Sequence, residues 1–159
     1  MPETRRIADQ LQRAFNGDPW YGSPLMKILE GVTAAQACAH PVAGAHSIWQ
    51  VVLHIAAWQG AVLDRLAGNP PGLPVEGDWP EILDTSEAAW RQTLALLAQR
   101  HEALVHTASE MTDEDFRRKL GEERDPATGS GVNVYYTLHG IIQHTVYHTG
   151  QIAILKKAL

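Results

Sequence analysis

The chain has 159 residues, 45% of them hydrophobic and 19% charged, with 13 basic against 18 acidic side chains and a net charge of −5. This is the profile of one soluble globular domain, long enough for a real core. No Lys/Arg cluster marks a nucleic-acid surface and no basic amphipathic arm marks an anionic membrane. Nor is any apolar run long enough to span a bilayer.

The elements read as helices throughout. Residues 3–15 place Ile7, Leu11, Ala14 and Phe15 on one face. The turn-rich stretch 16-NGDPWYGSPLMKILEG-31 holds a short helix around Leu25–Leu29, and Thr33 with Gln36 matches a capping box for another. After 41-PVAGAH-46 a long helix is predicted from about Ser47 to Leu66. It is ended by Gly68, Pro70, Pro71, Gly72 and Pro74. A third long helix is predicted from Asp84, capped with Glu87, to about Glu110. Its stripe is Trp90, Leu94, Leu97, His101, Leu104 and Val105. The stretch 121-GEERDPATGSG-131 reads as a polar loop, since it lacks the Gly-Lys-Ser/Thr ending of a phosphate loop. The last helix runs from about Asn133 to the end, with Lys156 and Lys157 suited to its final turn. Strand-like alternation is absent. Four long amphipathic helices in one small domain predict an all-α four-helix bundle, residues 1–159 forming a single domain. The five tryptophans are expected to fill its core.

Cys38 is the only cysteine, which rules out an intrachain disulfide and Cys-based zinc clusters and fits a reducing cytoplasm. The two arginines near the N-terminus are followed by no apolar segment, so no signal peptide is expected.

Three histidines share the apolar phase of two helices. His148 lies seven residues after Ile141 and seven before Leu155, and His144 is one turn earlier. Positions four apart differ by only about 40° around a helix axis, so both rings project to one side. His54 falls three residues after Val51 and four before Trp58, again within a stripe. A lone histidine on an apolar face is ordinarily a core residue bonded to a carbonyl. Three together would cost a few kcal/mol if buried without partners, on the order of a polar group each. One shared metal ion removes that cost, and a three-histidine set leaves positions open for chemistry. The other five histidines read as surface or packing residues. His40 and His46 lie in the Pro/Gly connection, and His101, His106 and His139 are out of step with one another or with the pair. His144-Thr-Val-Tyr-His148 has no Glu after its first His, so the zinc-protease base is missing. No Glu-x-x-His occurs, which argues against a di-iron carboxylate bundle.

These residues carry a family resemblance. Pro19-Trp20, GAHSIWQVVLHIAAW at 44–58, LxG at 66–68 and, above all, HGIIQHTVYHTGQIAILKKAL at 139–159 resemble the DinB/YfiT-like superfamily over nearly the whole chain. The resemblance implies an up-down-down-up bundle and one divalent metal ion held by His54, His144 and His148. Zinc or nickel comes first among the candidates; manganese and iron also suit imidazole. It implies Gln151 as a hydrogen-bonding group behind a ligand, and Gly150 as a position where a neighbouring helix can approach closely. Homodimers are common in such proteins. Better-understood members are transferases and an isomerase that use low-molecular-weight thiols such as bacillithiol or mycothiol. With the sequence stopping right after its last predicted helix, no C-terminal extra domain is expected, which would disfavour the isomerase.

Helix phase adds Gln50, Trp58 and Tyr147 as candidate cleft residues. The expectation is a cytoplasmic metalloenzyme joining a thiol to a small electrophile. The reactive group is then a metal-held thiol, or water in the alternative case of a metal-dependent hydrolase. A non-enzymatic, stress-associated metal-binding module is the third reading.

Overall fold

A computed structural model describes residues 2–120 and 132–159; the glycine-rich stretch expected as a polar loop, 121–131, lies outside the described residues. The described elements are α1 (Glu3–Phe15), α2 (Leu25–Leu29), α3 (Ala34–Cys38), α4 (Ile48–Leu66), α5 (Glu87–Glu110), a 3-10 turn (Asp115–Arg117) and α6 (Val134–Lys157). Among the described residues the one strand-like feature is an isolated antiparallel bridge between Lys119 and Asn133. It ties the start of α6 to the end of the 3-10 segment.

The helix starts follow from capping chemistry. Thr33 and Ser47 each accept a hydrogen bond from the backbone N–H three residues on, and Gln36 and Gln50 reach back to close the box. The start of α5 differs from the expectation. Ser86, not Asp84, is the cap, its hydroxyl accepting from Ala89 N–H at 3.1 Å, while Asp84 accepts from Ser86 N–H at 2.8 Å. A serine directly before the first turn is better placed than an aspartate two residues earlier. Glu87 is therefore released for a distant job. Its carboxylate accepts from Ala34 N–H at 2.8 Å, at the positive end of α3. Lys156 also acts away from its own helix, donating to the carbonyls of Ile28 and Glu30 at the end of α2.

Each of the four long helices touches two others: α1 meets α5 and α6, and α4 meets α5 and α6. Trp49 Nε1 donates to Thr93 Oγ1, and Arg100 donates to the Ala56 carbonyl, both across 44 residues. That constant offset means α4 and α5 run in the same direction. Phe15 stacks on His101 while Ile7 and Leu11 share a cluster with Leu104 and Ala108, so α1 and α5 run oppositely.

The core has two apolar halves. One gathers Trp49, Ile55, Trp90, Leu97, Ile152 and Leu155 under α2 and α3. The other gathers Ile7, Leu11, Leu66, Leu104, Phe116 and Leu138. In chain position the buried polar residues Gln59, His101, Thr145, His148 and Thr149 fall between these halves, and buried His54 lies within the α4 stretch of the first.

Two packing expectations are corrected. Gly150 is exposed, and a Cβ there would meet nothing within 4 Å, so no helix approaches it closely. A glycine that a neighbouring helix does approach is Gly60, where a Cβ would sit 3.0 Å from Arg100 Cζ. The tryptophans are not uniformly core. Trp49 and Trp90 are buried, but Trp20 is fully exposed (101%) and Trp58 and Trp79 are half-buried beside the histidines. Trp20 belongs to the turn after α1, where no second layer covers it.

Candidate metal centre

The site is assembled by α4, α6 and the connection between α4 and α5. Arg100 fixes that connection. Its guanidinium lies against Gly60, donates to the Ala56 carbonyl at 2.8 Å and pairs with Glu76. Two residues further on, Asp78 and Trp79 lie against His54. The Asp78 carbonyl lies 2.6 Å from His54 Nδ1, and its carboxylate accepts from Trp58 Nε1 at 2.7 Å. Trp79 stacks on His54 at 4.0 Å between ring centroids, and His46 stacks on the other side of the tryptophan at 3.6 Å.

His54, His144 and His148 each offer a ring nitrogen, all within 4.8 Å of one another. A carbonyl oxygen can only accept, so His54 carries its proton on Nδ1 and turns the Nε2 lone pair inward. His148 behaves alike, its Nδ1 donating to Gln151 Oε1 at 2.6 Å. Such outer hydrogen bonds orient and polarise imidazoles that bind metal ions.

His144 Nε2 lies 3.0 Å from His54 Nε2. Two facing lone pairs repel unless a proton or a cation lies between them. A proton on His144 Nε2 would make Nδ1 an acceptor, and that buried Nδ1 has no hydrogen-bond partner among the described residues. A cation between the rings would instead leave the proton on Nδ1. Either way Nδ1 is without a partner among the described residues, so it is the convergence of three ring nitrogens that fits one divalent ion. Burial favours the neutral form of both rings on α6. Burial pushes His144 down to about 3, helped by His148 and His54 and opposed by Asp78. Burial also lowers His148, with the Gln151 bond working the other way.

A cavity of about 510 Å³ adjoins this cluster, with His148, Gln151, Tyr147, Trp79, Val51 and His46 among its lining. Tyr147 is exposed and sits edge-on to His148 at 5.0 Å. Trp58 keeps its indole N–H on Asp78 and lies 6.4 Å from His54, which makes it part of the support behind the ring. Gln50 does not reach the cavity lining. Its amide oxygen is committed to Ser47 N–H at 2.9 Å in the cap of α4. Sequence reasoning overlooked Asp78 and Trp79, and treated His46 as a bystander. The signal available was the sequence DWPE at 78–81, which holds the one aromatic residue of a proline- and glycine-rich connection.

Among the described residues, helix contacts and a largely buried three-histidine cluster define a helical protein with a candidate metal centre. The chain belongs to the DinB superfamily, whose family model matches residues 23–152. Its fold is similar to that of a solved structure described as a conserved protein from Enterococcus faecalis, at a TM-score of 0.69 and 16% identity, covering 99% of this chain and 97% of that one. No curated protein matches the sequence.

Proposed function

We propose that the protein is a metal-dependent S-transferase that joins a low-molecular-weight thiol to a small electrophile. It holds one divalent ion through His54, His144 and His148. The observation that carries this reading is the convergence of three imidazoles beside a cavity large enough for a small molecule. A divalent ion in such a site lowers the pKa of a bound thiol or water, so that a nucleophile forms at neutral pH. The chain supplies the rest. Asp78 and Gln151 hold His54 and His148 in the tautomer that turns Nε2 inward. Trp79 walls His54 off on one face. Tyr147 and Val51 help shape the space where the electrophile rests.

The finer architecture belongs to the same reading: a four-helix bundle in up-down-down-up order. It is supported by the parallel offset of α4 and α5 and by the long connection between them.

The test is elemental analysis of tag-free protein purified without chelator, followed by cobalt substitution and addition of a thiol. The expected results are about one equivalent of divalent metal and new thiolate-to-metal charge-transfer bands. Metal without such bands, combined with ester or amide hydrolysis, would replace the transferase by a hydrolase. No metal even after adding zinc or nickel would leave a non-enzymatic module with polar core histidines.

A further inference from the structure

The cavity beside His148 differs in charge from other cavities on the molecule. Three others carry ionised side chains: Asp9 and Arg13 in one, Lys27, Glu30, Glu87 and Arg91 in a second, Glu3, Arg6 and Asp9 in a third. The lining at the histidine cluster has no Asp, Glu, Lys or Arg. Its walls are Val42, Val51, Trp79, Tyr147, Ile154 and Leu155, with His46, His148 and Gln151 as the polar groups. His148 and Gln151 are bonded to each other, so much of the polar character is gathered on the side of the three histidines.

We infer that this cavity binds an uncharged, mainly apolar small molecule, with its polar reacting end toward His148. The inference deepens the functional reading above and rests on it for the identity of that end. An anion in the cavity would lose water without meeting a cationic side chain. It would also feel the Asp78 carboxylate, whose charge reaches both His144 and His148. A cation would likewise lose water without meeting a carboxylate in the lining. An apolar body has aromatic faces from Trp79 and Tyr147 and aliphatic contacts from Val51, Ile154 and Leu155.

A matched pair of fluorescent probes tests this directly. N-phenyl-1-naphthylamine is neutral, and 8-anilino-1-naphthalenesulfonate adds a sulfonate to the same skeleton. Both brighten in apolar surroundings, and sulfonate is a poor metal ligand. The protein as purified should bind the neutral probe at least about tenfold more tightly, roughly 1.4 kcal/mol. Ile154→Arg places a cation on an exposed lining position and should narrow or invert that preference with metal content unchanged. Equal binding of the two probes, a preference for the sulfonate, or an Ile154→Arg variant with unaltered preference would each overturn the inference. Metal content measured on the same samples separates the two readings. A neutral preference in protein that takes up no metal leaves the cavity specificity standing and removes the metal site. Stoichiometric metal without the preference does the reverse.

Discussion

Two kinds of buried histidine occupy the middle of this molecule, and they are treated differently. His101 is alone. It stacks on Phe15 at 3.8 Å, is 3% exposed, and its Nε2 has no hydrogen-bond partner among the described residues. Burial alone pushes it down to about 4. His54 and His148 are as deeply placed, yet each has its outer nitrogen anchored to an oxygen and its inner nitrogen turned toward the other histidines. Helical phase assigns all of them to apolar stripes. What separates a packing imidazole from a candidate ligand is the partner on the far nitrogen, which comes from the α4–α5 connection for His54 and from the next turn of α6 for His148.

The largest expected effect breaks the cluster. His148→Ala should reduce bound metal from about one equivalent to a small fraction of that, whereas His101→Leu should leave it unchanged. Elemental analysis of both variants reads this out, and equal metal in the two would sink the assignment. The same contrast extends to stability. Zinc or nickel at about a hundred times its Kd should stabilise the native protein and His101→Leu by about 2.7 kcal/mol, with no such gain in His148→Ala.

Next comes acid sensitivity. The unfolded chain takes up a proton on His101 near its ordinary value of 6.5, and the folded chain only near 4. The unfolded state therefore binds more protons between these values, and stability falls as pH drops through that window. The contribution is up to about 3 kcal/mol at pH 4. Chemical denaturation of His101→Leu at pH 7 and pH 4 should show a smaller loss than the native protein. An identical loss would mean that His101 does not titrate in this way.

A smaller effect concerns the outer hydrogen bonds. Gln151→Leu removes the acceptor of His148 Nδ1–H and should weaken metal binding by roughly 10–100-fold, with Gln151→Glu restoring it. Competition against a metal-sensitive dye measures both. Rescue by glutamate distinguishes positioning of the ring from mere packing.

The smallest is Gly60→Ala. The added methyl would press on the Arg100 guanidinium, which holds Glu76 and, through it, the stretch bearing Asp78 and Trp79. A loss on the order of 1 kcal/mol is expected. Faster amide exchange in residues 76–79, with α1 unaffected, would trace the effect to that connection.

The helical character of the chain and the trio His54, His144 and His148 were readable from the sequence, because both rest on local periodicity. Apolar residues at 3.6-residue spacing make an amphipathic helix wherever the chain folds, and residues four apart must share a side. Capping was readable for the same reason at Thr33 and Ser47, where donor and acceptor lie three residues apart. Gln50 shows the limit of phase alone: its position pointed to the cleft, but the nearer Ser47 N–H claimed its amide. Tertiary structure alone decided the role of Asp78 and Trp79, the placement of Gly60 under Arg100, and the charge-free cavity. Each depends on contacts between segments whose separation carries no periodic signal. Only packing of the connection against α4 gives His54 its acceptor, and only the meeting of α4 and α6 turns three separate imidazoles into one site.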